Sequence, residues 1–495
     1  MLCKIISVLA LCFCVLSIDV WPVKAEESAQ SAEATAPDTS AKDAKISLAE
    51  VAPELYYQFR RYPKFYGDPN TNRGGLLERS QLLGSVGGAR DFLVDHGVYF
   101  DASVTQFLQR NVSGGKDDGS NRYNGTADYW LTFDTGKAGL WSGGAVFLHA
   151  ESSWQAKKSI NPDVGTLVPA NFDATMPTPG ASKDIALPEF YMLQALPANI
   201  FALAGKANWA GLADGNVFAN NERTQFSYTG LVNNPILGAF VPYTSLGAGV
   251  VWAPSKTHTL AVLGVQPTGD ATTSGFENFK GDYTVGAQYQ FSPTISGNLP
   301  GNYRVIVGYD SKDLQSFDID PRLLIAQVLG TVPATKESGN QTFLVNFDQY
   351  LWVKGGSVAA YQKSLDSGAY PGPGRQHLPP VGIGIFGRAG WAPKDRNVID
   401  QFYSFGVGGY GMLIPGRDYD NWGIGWAGTH YSNDLRNAAL LLGKNIDSFG
   451  NAFEVFYNFQ VTPALHLTVN TQYIEPAVKS IDNSFTVGTR LQIDF

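Results

Sequence analysis

From Val98 to Phe495, apolar and polar side chains alternate with a period of two, run after run. The last run, SFTVGTRLQIDF (484–495), shows the pattern most clearly. Phe485, Val487, Leu491, Ile493 and Phe495 share one parity; Thr486, Gly488, Arg490, Gln492 and Asp494 share the other. Only Thr489 interrupts the apolar set. Successive strand side chains point to opposite faces, so each run reads as a strand with one apolar and one polar side. VYFDASVTQFLQ (98–109), DYTVGAQYQF (282–291) and TFLVNFDQYLWV (342–353) repeat the pattern. FEVFYNFQVTPALHLTVNTQYI (453–474) reads as two strands joined at Thr462-Pro463-Ala464. About 18 such runs are present; those near 223–229 and 357–364 are the weakest, leaving 16. In TFLVNFDQYLWV, strict parity places Tyr350 and Trp352 with Asp348, and Val353 with the apolar set.

Many long antiparallel strands suit either a soluble sandwich or solenoid, or a transmembrane barrel with its apolar parity in lipid. The runs span about 9 to 12 residues, which suits a tilted strand crossing a bilayer. Aromatic residues collect near strand ends (Trp209, Trp252, Phe291, Trp391, Tyr473, Phe485, Phe495), as in interfacial girdles. Charged residues make up only 16%, while Gly numbers 54. No apolar run reaches 18 residues, which excludes a helical membrane protein. The expectation is therefore an all-β, transmembrane antiparallel barrel of 16 strands over 97–495, with a short, partly helical segment at 46–96.

The N-terminal region suits export. Lys4 precedes an apolar run from Ile5 to Leu16, and Val23-Lys24-Ala25 offers a cleavage site, so residues 1–25 read as a signal peptide. All three cysteines, Cys3, Cys12 and Cys14, lie inside it, leaving the rest without disulfides or thiolate metal sites. Residues 26–45 carry no aromatic residue and read as a disordered leader. A net charge of -8 and the lack of a basic stripe argue against a nucleic-acid partner.

The C-terminal third resembles the carbohydrate-selective porins of the OprB type. FGRAGWAPKDRN (386–397), YSFGVGGYGMLIPGRDYDNWGIGWA (403–427), FEVFYNFQVTPALHLTVNTQYI and the final GTRLQIDF carry the likeness. Gly87, Gly88, Ala89, Arg90, Leu93, Gly97 and Phe100 match in order, and FANNERTQF (218–226) is similar to a family stretch. The chain departs from the family with Gly84-Ser85-Val86 where Gly-Asp-Trp is usual. The resemblance implies a 16-stranded outer-membrane barrel, in a bacterial cell, that passes sugars such as glucose by diffusion. It implies no catalyst and no cofactor. It also implies that the barrel-assembly machinery recognises Phe495, and it leaves monomer and trimer both open.

A sugar path needs directional polar groups and weak binding. Parity places Asp101, Trp130, Asp134, His149, Glu151, Lys206, Arg304, Asp310, Asp348, Tyr350, Arg388, Asn458, His466, Gln472 and Arg490 toward the interior. Arg388, Arg304, Asp348 and Glu151 are the choices for the constriction. Both charge signs occur, which suits a neutral polar solute. A channel for another small solute, a barrel enzyme and a soluble periplasmic sugar-binding or sugar-cleaving domain are the competing readings.

Other motifs carry less. GIGIFG (382–387) and GVGGYG (406–411) match GxGxxG but sit in strand-like surroundings, so glycines easing strand curvature explain them better than a nucleotide. The six histidines show no zinc spacing. PGRDYDNWG (415–423) reads as a turn pairing Arg417 with Asp420. With Phe495 at the periplasmic end, 462–464 is a periplasmic turn, and 433–451 and 475–483 are extracellular. Residues 365–380 are too long for the periplasmic turn that this order requires.

Overall fold

The computed structural model describes residues 74–278, 281–296, 298–317, 333, 335–361 and 379–495. The expected signal peptide, the leader, residues 46–73 and most of 365–380 lie outside the described residues.

Sixteen strands form the wall. They are β1 (Val98–Gly115), β2 (Asn121–Asp134), β3 (Gly144–Trp154), β4 (Lys183–Leu196), β5 (Ile200–Ala207), β6 (Ser245–Ser255), β7 (His258–Val265) and β8 (Thr284–Phe291). The second half comprises β9 (Leu299–Gln315), β10 (Lys336–Val353), β11 (Gly382–Trp391), β12 (Ile399–Tyr410), β13 (Asn421–Tyr431), β14 (Phe449–Thr462), β15 (Leu465–Glu475) and β16 (Asp482–Asp494). Each pairs antiparallel with its neighbours in sequence, and β1 also pairs with β16 (Val104 opposite Ile493, Phe107 opposite Arg490). That last pairing closes the sheet, so no strand edge is left unpaired. The two-residue bridge Thr294–Ile295 only tightens the turn into β9.

The faces follow the sequence parity. On β16, Ser484, Thr486, Arg490, Gln492 and Asp494 are buried inside, while Phe485 and Val487 are each 40% exposed on the outside. Around the wall, Val262 (61%), Phe343, Phe405, Ile424, Phe453 and Val455 are likewise exposed. In a transmembrane barrel this surface meets lipid. Trp252, Phe291, Trp391 and Tyr473 stand outward, as a girdle requires. Trp209 does not. It begins the helical turn Trp209–Ala213 of an internal loop, is 1% exposed and donates its indole N–H to Ser245 O at 2.8 Å.

Strict parity also fails at one point on β10. A register shift between Tyr350 and Trp352 inserts an extra residue, so Trp352 turns outward (45% exposed) and Val353 inward (7%). The weak runs at 223–229 and 357–364 are not strands among their described residues; the first belongs to an internal loop and 357–361 is helical.

Short turns gather at one end: Pro197–Asn199 between β4 and β5, 256–257 between β6 and β7, and 463–464 between β14 and β15. At that end the helix Ala89–Asp95 leads into β1. Gly97 has φ +77°, and a Cβ there would lie 2.7 Å from Asp134 O, so only glycine suits this entry. Arg90 Nη2 donates to Phe495 O at 3.0 Å and Leu82 N to Asp494 O at 2.7 Å. At the opposite end two long loops, 155–182 and 208–244, fold into the barrel.

Candidate functional site

Residues 208–244 cross the interior, built from short helical turns with local caps. Asn208 Oδ1 accepts from Gly211 N at 2.8 Å, and Asn234 Oδ1 accepts from Ile236 N at 3.1 Å to start the Pro235–Phe240 helix. The loop's rings pack where the wall lacks side chains. A Cβ on Gly384 or Gly408 would lie 2.5 or 2.8 Å from Phe218. The glycines of the two GxGxxG matches therefore make room for an aromatic ring of the loop, rather than only easing curvature. Phe226 sits against Phe386 and Phe456, at centroid distances of 5.5 and 4.7 Å.

Polar side chains of the wall hold the loop. Arg388 Nε donates to Asp214 Oδ1 and Oδ2 (3.0 and 3.1 Å), and its other nitrogens donate to the carbonyls of Ala219, Leu231 and Val232. Arg490 donates to Glu222 O at 2.6 Å and Gln225 O at 2.5 Å, and lies over the Phe107 ring. Glu454 accepts from Ser227 N at 2.9 Å and Tyr228 N at 2.8 Å.

The 155–182 loop joins this assembly. Phe172 N donates to Ser227 O at 2.8 Å, and Gln472 Nε2 donates to Ala170 O at 2.8 Å. Thr126 Oγ1 donates to Asp173, which is fully buried. Burial pushes the Asp173 carboxyl up to about 7; the Arg223 guanidinium opposes this, and the Glu222 and Asp128 carboxylates add to it. The unfolded carboxyl releases its proton near pH ~4. Between those values the folded chain binds the extra proton, so this group's stabilisation is present at low pH and is lost as pH rises through about 7. Asp173→Asn should remove that slope. Unfolding temperatures in detergent at pH ~5 and ~8 check it, and an unchanged pH difference in the variant would refute it.

Around Asp128 lies a denser cluster. Arg223 binds it with both terminal nitrogens, Nη2 to Oδ1 at 2.7 Å. His149 Nε2 lies 2.7 Å from Asp128 Oδ1, and His149 Nδ1 lies 3.2 Å from Glu189 Oε1. Trp130 stacks on His149 at 3.8 Å. Asp128, His149 and Glu151 are close enough to hold a metal ion. However, Arg223 occupies both Asp128 oxygens, and both His149 nitrogens have partners, so the donor set does not fit a cation.

A less enclosed polar group lies on β8–β10. Arg304 Nε donates to Gln290 Oε1 at 2.9 Å and its Nη1 to Asp348 Oδ2 at 3.2 Å. Asn302 Nδ2 donates to Asp348 Oδ1 at 2.7 Å. Arg304 Nη2 faces the loop, 3.8 Å from where a Cβ on Gly215 would lie, and has no hydrogen-bond partner among the described residues. Asn302, Gly215 and Asn216 are only partly buried.

The structure thus places the four constriction choices in three separate groups. Arg304 and Asp348 are paired, Arg388 clamps the loop, and Glu151 Oε2 accepts from Tyr243 at 2.9 Å. Lys206 Nζ donates to Leu187 O and Thr273 O at 2.9 and 2.6 Å; Tyr350 donates to Pro380 O at 2.9 Å. Asp101 accepts from Gln81, and Asp134 accepts from Lys137 N at 3.0 Å. At 415–423, Arg417 forms the expected pair with Asp420 through two bonds of 2.8 and 2.7 Å. Sequence reasoning missed Asp128, Asp214, Arg223 and Glu454. For Asp214 and Arg223 the signal available was the long, Asn-rich interval between β5 and β6; for Asp128 and Glu454 it was their polar parity on β2 and β14.

A closed 16-strand barrel with an apolar outer face, a polar inner wall and a loop folded inside defines an outer-membrane porin. The model of the carbohydrate-selective porin, OprB family, matches residues 120–495, and the chain belongs to that family. The high-pH structure of Pseudomonas putida OprB superposes with a TM-score of 0.70 at 19% identity, covering 85% of this chain and 100% of that one. Its low-pH structure gives 0.49 at 16%, covering 84% and 99%. A loop L8 deletion mutant of the Vibrio cholerae outer-membrane protein OmpT gives 0.43 at 11%, covering 80% and 98%. No curated protein matches the chain in sequence.

Proposed function

We propose that the pore passes neutral sugars, glucose among them, by passive diffusion, with the solute touching Arg304, Asn302 and Gln290 and with Asp348 holding Arg304 from behind. The observation that carries this reading is the free Nη2 edge of Arg304 opposite the loop at Gly215. Asp348 balances the charge of Arg304, so the group offers directional hydrogen bonds to hydroxyl groups without favouring either ion sign. Arg388 and Arg490, spent on loop carbonyls, act as positioning residues in this reading. The same proposal includes export by a cleaved signal peptide at 1–25 and a leader at 26–45. It also includes a lipid-embedded barrel over 97–495, assembled through Phe495, as a monomer or trimer.

Swelling of liposomes carrying the folded protein tests it. Glucose should enter faster than charged solutes of similar size. A hydrogen bond typically contributes about 0.5–1.5 kcal/mol net, and a pore tolerates only weak binding, so Arg304→Ala should slow glucose about three- to tenfold. Equal glucose rates in wild type and variant would move the solute contact elsewhere. No swelling with any solute would overturn the passive pore.

A further inference from the structure

A porin's inner wall is normally polar, but from Leu260 to Val265 β7 is apolar on both faces. Its inward residues are Thr259, Ala261, Leu263 and Val265. Thr259, Ala261 and Leu263 line a gap opposite Trp209, Leu212 and Phe240 of the inserted loop. A cavity of about 100 Å³ lies between them. Leu212, Ala261 and Leu263 stay partly exposed although they lie inside the barrel. The volume is of the same order as the ~150 Å³ apolar cavity that stays dry and binds benzene.

The cavity adjoins the proposed sugar contacts. Gln290 lines it, and the same side chain accepts from Arg304 Nε at 2.9 Å. An apolar chamber and a hydroxyl-binding group therefore share one residue. We propose that this cavity takes the apolar aglycone of an aryl glycoside while the sugar ring lies on the Arg304–Gln290 group. The inference rests on the sugar-pore reading and narrows its substrate class. Glucose alone leaves the cavity empty; a glycoside with one aromatic ring fills it, removing apolar surface from water.

Block of the ion current in planar bilayers tests this, with phenyl β-D-glucoside compared with methyl β-D-glucoside. The phenyl glycoside should block at about tenfold lower concentration, since burying most of a ring's apolar area gives an effect of that order. Ala261→Phe fills the cavity and should abolish the difference while glucose swelling stays unchanged. A readout without a variant is free phenol, which should weaken block by the phenyl glycoside and leave the methyl glycoside unaffected. Equal half-blocking concentrations in wild type would overturn the proposal, as would a phenyl preference that survives Ala261→Phe or ignores phenol. Glucose swelling of the wild type is measured separately, so failure of the aglycone site is distinguishable from failure of the sugar pore.

Discussion

Arg388→Ala should release the inserted loop, raising and broadening the single-channel conductance and lowering the temperature at which the barrel unfolds. The side chain is fully buried and its guanidinium is the hub for Asp214 and three loop carbonyls. Removing one partner of a buried ion pair costs about 3–5 kcal/mol, because the other charge is left without compensation. Here the stranded group is Asp214, which also accepts from Asn234 N at 2.7 Å and Asn346 Nδ2 at 2.5 Å. The neutral double variant Arg388→Met with Asp214→Asn should lose less stability than Arg388→Ala, since it strands no charge and keeps an amide oxygen for the donors at 214. Conductance in planar bilayers and heat-modifiable gel mobility measure the two effects. A wild-type conductance for Arg388→Ala, in a folded barrel, would show that this clamp does not shape the pore.

Glu454→Ala should have the next largest effect, through unmet donors. Glu454 accepts from Ser227 N and Oγ, Tyr228 N, Asn470 Nδ2 and Gln472 Nε2, at 2.8 to 3.2 Å. Each buried donor left without an acceptor costs about 1–3 kcal/mol, less where a neighbour or water steps in. Glu454→Gln keeps one acceptor and should fall between wild type and alanine. Both clamps act on one loop, so their combined effect on conductance should be smaller than the sum of the separate effects. Strict additivity of Glu454→Ala and Arg388→Ala would mean that the loop segments held by the two residues move independently.

Alternation made the wall legible. The strands and the two faces of each follow from a period of two, because lipid and lumen demand opposite chemistry of neighbouring residues; closure into a barrel rests instead on run length, aromatic strand ends and the family resemblance. The same rule is silent about register. It could not show the extra residue at Leu351, which turns Trp352 outward. It also says nothing of depth, so Arg388 and Arg304 look alike in sequence although one is enclosed by the loop and the other is opposite it. The loop itself was obscure for another reason. Wrapped on every side by the wall, it buries Phe218, Phe226, Tyr228 and Leu231 without any regular period. Its 223–229 stretch imitates a weak strand. The Asp128 group joins β2, β3, β4 and the loop, which no local spacing could bring together.

The loop's attachments have a consequence for anyone who would transplant it. Asp214 finds Arg388 174 positions later in the chain, and the carbonyl of Glu222 finds Arg490 268 positions later. Of the glycines that admit Phe218, Gly384 shares the strand of Arg388 and Gly408 lies on the next one. Residues 208–244 moved alone into a foreign barrel would leave behind their guanidinium partners, their carboxylate and the hollows for their rings. The aperture is therefore not a portable module. It is inherited with the wall, and a redesign of what passes through must treat both as one component.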